Sequence, residues 1–351
     1  MSLTDAATAR STTPTTHPVR IATIGAGRIG SHHAEVVARH VPGATLVAVS
    51  DPVEESAQRL AAALGAPFAT ATVDDVLTAD EIDAVLITAP ARSHTDLVVA
   101  AAAAGKHVFV EKPMAVTLED ADRAITAAAA ADIVLQVGFN RRFAPGFAAA
   151  RAAIDAQKVG TPQLLRSLTR DPGPYTADAA RVPQWTIFLE TLIHDFDTLC
   201  FLNPGARPVR VHAIADALIR PDAKKAGHLD TAVVTVQFDN GAIATADASF
   251  SALYGYDVRA EVFGSGGMVT AGNGRSTDMT YYGPDGLHAD TSRRDTDLLH
   301  SAYVGELTAF VDAVRGGTPA VVTGQDARTA LSIALACIRS VETGSAVDLD
   351  R

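Results

Sequence analysis

Residues 19–30 read VRIATIGAGRIG, and this stretch decides the fold of the first part of the chain. A short apolar strand runs into glycines spaced as G-x-G-x-x-G, and a helical pattern follows. Gly25 permits a tight turn, Gly27 lets a backbone approach a pyrophosphate, and Gly30 lets the helix pack closely on the strand. The amides and the positive dipole end of such a helix favour phosphate. The stretch therefore predicts a dinucleotide-binding strand–turn–helix.

Strands and helices continue to alternate as far as Gly138. The predicted strands are short and β-branched, as expected of parallel strands buried on both faces: Val19–Ile24, Thr45–Val49, Ala84–Thr88, His107–Val110 and Val134–Val137. The predicted helices between them are Ile29–His40, Glu54–Leu64, Ser93–Ala104 and Leu118–Ala131. Repeated strand–helix–strand units predict an α/β Rossmann domain, a doubly wound parallel sheet, over residues 18–140.

The pattern changes after Asn140. Alternating strands dominate from Arg207 to Tyr282, and Asn240-Gly241 is a strong hairpin signal. Other predicted segments are helix Phe147–Asp155, strand Gln163–Arg170, a Pro/Gly-rich loop Asp171–Pro183, and helices Thr186–Leu202, Leu298–Arg315 and Gln325–Thr343. We expect residues 141–351 to form an α+β domain with a mostly antiparallel, open-faced sheet suited to oligomerisation. Residues 1–17 are expected to be a disordered tail.

Composition excludes several classes of partner. The chain has 351 residues and a formal net charge of -11, without a cluster of Lys or Arg, so it would repel nucleic acid and anionic membranes. No apolar run is long enough to span a bilayer. Cys200 and Cys337 lack the spacing of a metal site or a disulfide framework, which is typical of a reducing compartment. We expect a cytoplasmic protein.

Asp51 follows the second predicted strand, about twenty residues after the last glycine of the fingerprint. A carboxylate there accepts hydrogen bonds from the adenosine ribose hydroxyls and repels a 2′-phosphate. The sequence therefore predicts NAD rather than NADP as the cofactor. The alternative is a glycine turn in a fold that uses no nucleotide.

Glu111-Lys112-Pro113 comes directly after the fifth predicted strand. Ligands of open parallel sheets bind beyond the carboxyl ends of the strands, so we expect Lys112 where the nicotinamide and the substrate meet. An ammonium there donates to the reacting oxygen and stabilises negative charge on it. A lysine after a strand is, taken alone, more often a solvated surface residue. Its placement by Pro113 in this crevice favours a functional role.

Glu190 and His194 lie four residues apart in a predicted helix, so both side chains are expected on one face. Taking a hydride from a carbinol carbon requires removal of the hydroxyl proton, a task that suits histidine. Glu190 would orient the imidazole or bind a neighbouring hydroxyl. A Glu/His pair on a helix is, taken alone, more often a surface ion pair, and the neighbouring acids Asp195 and Asp197 keep that alternative open. No second histidine has ligand spacing, so no metal is expected.

From Val19 to near Leu349 the sequence resembles the glucose–fructose oxidoreductase/inositol dehydrogenase family (Gfo/Idh/MocA). The stretches that carry the resemblance are Gly25–Gly30, Glu111-Lys112-Pro113, residues 137–143 (VGFNRRF), Glu190–Asp197 and Tyr254-Gly255-Tyr256-Asp257. The Arg-Arg before Phe143 and the last two stretches are most similar to the bacterial inositol 2-dehydrogenase branch. The resemblance implies an NAD enzyme that oxidises a ring hydroxyl of myo-inositol or a related sugar.

The resemblance also implies roles for individual residues. Lys112 is the catalytic lysine, His194 is the proton acceptor, and Glu190 is the third catalytic residue. The implied substrate contacts are Lys112, Arg141, Asp171, Glu190, His194 and Tyr256. The residues expected at the cofactor are Gly25, Gly27, Arg28, Ile29, Gly30, Asp51, Thr88, Pro90, His94, Glu111 and Lys112. Glu190 departs from the branch, which usually has Asp here, and the longer side chain weakens the assignment to inositol but not to the family.

Three alternatives stay open. A same-fold dehydrogenase would act on a monosaccharide, an anhydrosugar or a sugar phosphate, for which Arg141, Arg170 and Arg181 would supply cations. A glycoside hydrolase that retains and recycles NAD would produce no net NADH. A non-catalytic NAD-binding regulator would need neither Lys112 nor His194. The expected partners are a small polyol or sugar and further copies of the chain, as a homotetramer or dimer.

Overall fold

The structure is a computed structural model and describes residues 17–173 and 183–349, without the side chain of Ala226. The predicted tail (all but its last residue), most of the predicted Pro/Gly-rich loop, and Arg181 lie outside the described residues. The chain divides into two compact units, each discontinuous in sequence. Within the described residues, the first contains the chain up to Val110, Ile125–Gln136 and Leu307–Thr323; the second contains Glu111–Ala124, Val137–Glu306 and the chain from Gly324.

The first unit is built on a six-stranded sheet in the order β3-β2-β1-β4-β5-β6. Its strands are β1 (Val19–Ile24), β2 (Ala44–Ser50), β3 (Phe68–Thr70), β4 (Ala84–Ile87), β5 (His107–Val110) and β6 (Leu135–Val137). The neighbours β1–β2, β1–β4, β2–β3 and β4–β5 pair in parallel. This order is that of a Rossmann sheet and confirms the predicted doubly wound fold.

The helices that follow these strands are α1 (Arg28–His40), α2 (Glu54–Leu64), α3 (Val73–Leu77), α4 (His94–Ala103) and α5 (Leu118–Ala130). Strand β3 and helix α3 were not predicted. Each is at most five residues long, which is too short to show a periodic pattern. The strand centres are almost wholly apolar and fully buried, as in β4, where all four residues are buried.

The second unit is built on a seven-stranded sheet in the order β12-β11-β7-β10-β9-β8-β15. Its strands are β7 (Pro162–Arg170), β8 (Pro208–Asp216), β9 (Thr231–Phe238), β10 (Ile243–Ser249), β11 (Asp257–Gly264), β12 (Gly267–Ala271) and β15 (Val347–Asp348). All neighbours are antiparallel except β7 and β10. The mostly antiparallel sheet is therefore confirmed, and the predicted hairpin at Asn240-Gly241 joins β9 to β10.

A smaller hairpin pairs β13 (Thr280–Gly283) with β14 (Gly286–Ala289). The remaining helices are α6 (Pro145–Asp155), a π-helix (Ile187–Leu192), α7 (Ile193–Phe201), α8 (Asp295–Leu298), α9 (His300–Gly316) and α10 (Gly324–Thr343). Among the described residues, none of these helices has both the length and the apolar character needed to cross a bilayer.

One face of the seven-stranded sheet is covered by the π-helix, α7 and α10, and the other face is open. Strand β9 shows the alternation: Ala232, Val234 and Val236 are buried, whereas Val233 is 51% exposed. A buried strand face next to an exposed one is the pattern expected of a half-covered antiparallel sheet. The predicted open face is confirmed.

Candidate active site

The glycine loop between β1 and α1 has the close packing that its sequence predicts. Gly25 has φ +107°, and a Cβ there would lie 2.9 Å from the backbone of Thr88. A Cβ at Gly30 would lie 2.0 Å from the carbonyl oxygen of Gly25. These two glycines are therefore required by the protein's own backbone.

Gly27 differs, because a Cβ there would meet nothing within 4 Å. It is the N-terminal cap residue of α1, whose first turn has neither a capping side chain nor an acid. Arg28 and Ile29 follow, exposed and half-buried respectively. An open helix N-terminus without a competing carboxylate is the environment that a phosphate prefers. Gly27 and the first turn of α1 therefore fit the pyrophosphate of a dinucleotide.

Asp51 lies against this loop. One carboxylate oxygen accepts the backbone N–H of Ala26 at 2.7 Å, and the other accepts that of Val53 at 2.9 Å. These two hydrogen bonds hold the Asp51 carboxylate at the end of β2, next to the glycine loop, as the sequence predicts. The geometry is consistent with the predicted contact to ribose hydroxyls.

The other predicted cofactor residues of the first unit cluster after β4. The buried hydroxyl of Thr88 donates to the carbonyls of Ile24 and Gly25 at 3.1 and 2.9 Å, and so ties β4 to the fingerprint loop. Pro90 is exposed at the start of a 3₁₀ turn. His94 is 1% exposed and its Nε2 lies 2.7 Å from the carbonyl oxygen of Ala89. Thr88 and His94 thus contribute internal contacts.

In the second unit, Lys112 is paired with Glu190. Its Nζ donates to Glu190 Oε2 at 3.1 Å and to the Glu190 carbonyl oxygen at 3.0 Å. The two side chains keep 17% and 39% of their surface exposed, so the pair remains accessible. Glu111 is buried, and its carboxylate accepts the backbone N–H of Lys112 at 3.0 Å. Glu111 therefore holds the segment that carries the lysine.

The helix that carries Glu190 and His194 is not a uniform α-helix. A π-helix over Ile187–Leu192 runs directly into α7, which begins at Ile193. A π turn contains more residues than an α turn, so side chains four apart no longer lie one above the other. Glu190 reaches Lys112 and makes no hydrogen bond to His194 among the described residues. π turns of this kind are frequent at functional sites.

His194 keeps part of its side chain accessible, while its Nδ1 is buried and has no hydrogen-bond partner among the described residues. Its ring packs edge-on against Phe139, with centroids 5.8 Å apart and an interplanar angle of 87°. Burial lowers the pKa of His194 well below its usual value, and the positive charges of Lys112 and Arg141 lower it further. The imidazole is therefore neutral near pH 7 and able to accept a proton.

Arg141 lies in the interior behind His194. Its Nη1 donates to Asp195 Oδ1 at 2.9 Å, and its Nη2 donates to Thr169 Oγ1 at 2.7 Å. Asp195 also accepts the hydroxyls of Ser167 and Thr169, at 2.5 and 2.7 Å. The side chains of Arg141 and Asp195 are 5% and 0% exposed. The predicted contact of Arg141 with a substrate hydroxyl stays a prediction.

Asp197 is also buried and forms a second ion pair, with Arg142. Arg142 donates to both oxygens of Asp197 and lies 3.1 Å from Asp326. Burial alone would lower the Arg142 pKa, but the two carboxylates raise it above its usual value. The Glu190–His194 surface ion pair that the sequence left open is not formed among the described residues: Glu190 pairs with Lys112, and Asp195 and Asp197 are buried.

Asp171 and Tyr256 are brought together because they flank the paired ends of the neighbouring strands β7 and β11. The Tyr256 hydroxyl donates to Asp171 Oδ2 at 3.2 Å, and the N–H of Gly173 donates to Oδ1 at 2.8 Å. Burial raises the pKa of Tyr256 well above its usual value, and the charges of Asp171 and Asp295 raise it further. The tyrosine therefore keeps its proton, which it donates to Asp171. Asp295 was not predicted, because it lies in a polar stretch without a motif.

The comparisons with known proteins agree with this architecture. Residues 19–139 match the family model "Oxidoreductase family, NAD-binding Rossmann fold" of GFO_IDH_MocA, and residues 147–270 match the GFO/IDH/MocA C-terminal domain. The family whose NAD-binding domain matches is therefore the one that the sequence motifs resemble, and NAD is its cofactor.

Individual relatives match along almost the whole chain. A myo-inositol 2-dehydrogenase of Thermotoga maritima is 37% identical over 95% of this chain and 99% of its own. A scyllo-inositol 2-dehydrogenase (NAD(+)) of Bacillus subtilis is 36% identical over 95% of this chain and 97% of its own.

A solved structure gives the same result for the fold. The scyllo-inositol dehydrogenase of Lactobacillus casei with bound NAD(H) and scyllo-inositol superposes with a TM-score of 0.90, at 28% identity, over 94% of this chain and 99% of its own. With both family models and relatives at this identity, the chain belongs to the Gfo/Idh/MocA family of NAD-binding oxidoreductases.

Proposed function

We propose that this protein oxidises a secondary ring hydroxyl of an inositol, or of a closely related cyclic polyol, to a ketone with NAD. The observation that carries the proposal is the set of groups at the π–α junction of the second unit. Burial and the positive charge of Lys112 keep the imidazole of His194 neutral, and the Lys112 ammonium lies 3.1 Å from Glu190 Oε2. The names of the relatives support the substrate class.

Two residues of the protein deal with the proton of the substrate hydroxyl and with the negative charge that its removal leaves on the oxygen. His194 accepts the hydroxyl proton, because its lowered pKa keeps the imidazole neutral near pH 7. Lys112 donates to the same substrate oxygen and stabilises the negative charge that develops as the proton leaves. NAD, held at the glycine loop of the first unit, would supply the acceptor for the hydride of the carbinol carbon. The product is a cyclic ketone, and His194 then releases its proton to solvent.

The polar groups around this centre suit neutral hydroxyls. We assign Glu190 and Asp171 as acceptors. The Tyr256 hydroxyl gives its single proton to Asp171 at 3.2 Å, so its oxygen accepts from a further substrate hydroxyl. Carboxylates and hydroxyls arranged in this way bind vicinal hydroxyl groups, and each charge-assisted hydrogen bond contributes about 1.5–3 kcal/mol. We retain the assignment of residues 18–140 to the cofactor and 141–351 to the substrate and the oligomer interface.

A sugar phosphate is disfavoured by the placement of the described arginines. Arg141 is buried and bonded to Asp195 and Thr169. Arg170 donates to the Asp247 side chain and to two backbone carbonyls. Neither therefore offers a free guanidinium to a phosphate, and Arg181 lies outside the described residues.

The test is a substrate screen with NAD that follows NADH absorbance. We expect turnover with myo-inositol or scyllo-inositol, weaker turnover with monosaccharides, and none with their phosphates. Accumulation of NADH in proportion to substrate consumed separates a dehydrogenase from a hydrolase that recycles its cofactor. The absence of turnover with every cyclic polyol, together with release of sugar from a glycoside, would overturn the proposal.

We also propose that the open sheet face joins copies of this chain. Four of its exposed apolar side chains lie in cross-strand register: Met268 opposite Phe263, Phe263 opposite Leu164, and Leu164 opposite Ile243. They keep 44% to 55% of their surface exposed. A continuous apolar row of this kind is unusual on a monomer and is typical of an interface. Arg259 and Glu261 are exposed on β11, the strand of Phe263, and supply one positive and one negative charge. Such a pair suits a self-complementary contact between two copies related by a two-fold axis.

Light scattering after size exclusion tests this interface. We expect a dimer or tetramer for the wild type, and a smaller species for Leu164→Asp, which places a charge in the centre of the row. Val321→Asp, at an exposed apolar residue of the first unit that is 54% exposed, is the control and should keep the wild-type mass. A monomeric wild type would exclude the interface.

The two thiols, Cys200 and Cys337, are both free. This supports our proposal that the protein works in a reducing compartment such as the cytoplasm.

A further inference from the structure

The imidazole of His194 lacks the hydrogen bond that usually orients a catalytic histidine. Such a residue typically donates its second ring nitrogen to a carboxylate or a carbonyl, which fixes both tautomer and direction. In the part of the chain that the structure describes, Nδ1 of His194 is buried without a hydrogen-bond partner, and Glu190 bonds to Lys112 instead. The orientation of the ring must therefore come from contacts of another kind.

The next residue supplies such contacts. Asp195 is 0% exposed and accepts three hydrogen bonds, from Arg141, Ser167 and Thr169. Thr169 also accepts the second guanidinium nitrogen of Arg141 at 2.7 Å, which closes the network. Its members come from three elements: the 3₁₀ turn Asn140–Phe143, strand β7 and helix α7. A closed, buried network of charged hydrogen bonds fixes the elements that it joins.

The residue that precedes the turn of Arg141 contacts His194. Phe139, two residues before Arg141, presents its ring to the imidazole at 5.8 Å. One short segment thus holds two consecutive residues of α7, one through an aromatic contact and the other through an ion pair. Because neighbouring helical residues point about 100° apart, holding both prevents rotation of the helix about its axis.

On the basis of the function proposed above, we propose that Asp195, Thr169, Ser167 and Arg141 form a positioning network that aims the His194 imidazole at the substrate. In this reading Arg141 acts through Asp195 rather than by direct contact with a substrate hydroxyl. The network does not touch the reacting atoms. It sets the rotation of α7 at its junction with the π-helix, where a change of one ångström costs about 100-fold in rate.

The informative variant is Thr169→Val, which removes one hydroxyl from the network without changing charge or size greatly. Thr169→Ser restores the hydroxyl and is the rescue variant. Thr343→Val is the matched control, because Thr343 is exposed at the end of α10 and its hydroxyl also makes one hydrogen bond, to the carbonyl of Arg339. We expect Thr169→Val to lower kcat about 10- to 100-fold while KM for the polyol and Kd for NADH stay within about threefold, with kcat recovered in Thr169→Ser.

A second readout does not depend on the substrate. In protein labelled with ¹³C-histidine, the His194 ring signal is assigned by its loss in His194→Gln. We expect it to shift or broaden in Thr169→Val and to remain unchanged in Thr343→Val. Wild-type protein that turns over no polyol would defeat the proposed function while this measurement still tests the network.

Three results would overturn the positioning role. A raised KM with unchanged kcat would show that Arg141 reads the substrate. A parallel loss of kcat, NADH binding and thermal stability, not recovered in Thr169→Ser, would show a purely structural network. An unchanged His194 signal together with unchanged kcat would show that the ring is aimed by other contacts.

Discussion

The Lys112 ammonium lies 3.1 Å from Oε2 of Glu190 and donates a second hydrogen bond to the carbonyl oxygen of the same residue. The carboxylate is therefore attached to the lysine and not to His194, although it is much closer to His194 in sequence. Substitution of Glu190 is therefore expected to change how the enzyme binds its substrate, through Lys112 and the substrate hydroxyls near it.

Glu190→Asp keeps the charge but withdraws the carboxylate from Lys112 by one methylene. We expect kcat/KM to fall roughly 10- to 150-fold for the best substrate, the range for a lost hydrogen bond to a charged group, and to fall unequally among polyols. Kinetics across a panel of inositol isomers measure this. An equal loss in kcat for every isomer would instead indicate that Glu190 orients His194, and unchanged kinetics would remove it from the site.

Lys112 and His194 serve the same transition state. Replacing either by Ala should lower kcat by about 10²–10⁴ and leave NADH binding nearly intact. The double variant should lose much less than the product of the two single losses, because neither group works fully without the other. Steady-state kinetics with fluorescence titration of NADH decide the matter. Near-normal turnover in His194→Ala would exclude it as the proton acceptor.

The depressed pKa of His194 predicts the acid side of the pH profile. The imidazole accepts a proton only when it is neutral. As the pH is lowered past 6.5, kcat should therefore stay constant, and it should fall only when the pH reaches the lowered pKa of His194. A midpoint at or above the usual histidine value of about 6.5 would contradict the assignment.

The same group makes stability depend on pH. Between the two pKa values the unfolded chain binds a proton at His194 that the folded chain does not, so the free energy of unfolding decreases as the pH falls below about 6.5. Each pH unit in that window changes it by about 1.4 kcal/mol for one such group. His194→Gln should flatten the dependence, which denaturant titrations at several pH values can measure. An equal slope in both proteins would contradict the prediction.

The glycine loop allows a matched pair of variants. Gly27→Ala adds a methyl to open space, so we expect a wild-type melting temperature with weaker NAD binding. Gly30→Ala places its Cβ 2.0 Å from the Gly25 carbonyl oxygen, so we expect a destabilised fold. Thermal melts and cofactor titrations separate the two. Tight NAD binding in Gly27→Ala would mean that the pyrophosphate does not pass over this glycine.

Asp51 is expected to select NAD over NADP by repelling a 2′-phosphate. Asp51→Asn is a sharper variant than Asp51→Ala, because the amide oxygen still accepts the N–H of Ala26, which the carboxylate binds at 2.7 Å. The ratio of kcat/KM for NAD to that for NADP should fall roughly 10- to 100-fold in Asp51→Asn, the size of one charged interaction. Wild-type enzyme that uses both cofactors equally would contradict the prediction.

Sequence reasoning predicted those parts of the fold that are determined by residues close together in the sequence. Strand β1 and helix α2 were predicted with their observed bounds, because each is an uninterrupted pattern closed by a glycine turn or a cap. The three glycines could be assigned separate tasks for the same reason: their spacing is local. Strand β3 was missed because three residues carry no period.

The candidate site depended on contacts that no local pattern contains. Lys112 and Glu190 are 78 residues apart, and Arg141 and Asp195 are 54 apart. The spacing of Glu190 and His194 suggested a shared face only under the assumption of α-helical geometry. The π-helix invalidates that assumption, and nothing in the letters IFLETL distinguishes a π turn from an α turn. The burial of Asp195 and Asp197 follows from arginine partners in another element, which no local pattern shows.

The π-helix also bears on how substrate preference can change in this enzyme. Removing one residue from Ile187–Leu192 would return the segment towards α-helical geometry and turn everything before the deletion by about 100° relative to His194. The carboxylate of Glu190 would then leave the lysine while the histidine stayed in place. Insertions and deletions at this one turn are therefore a route to new specificity that point substitutions do not reach, and a library varied in length there is the corresponding engineering strategy.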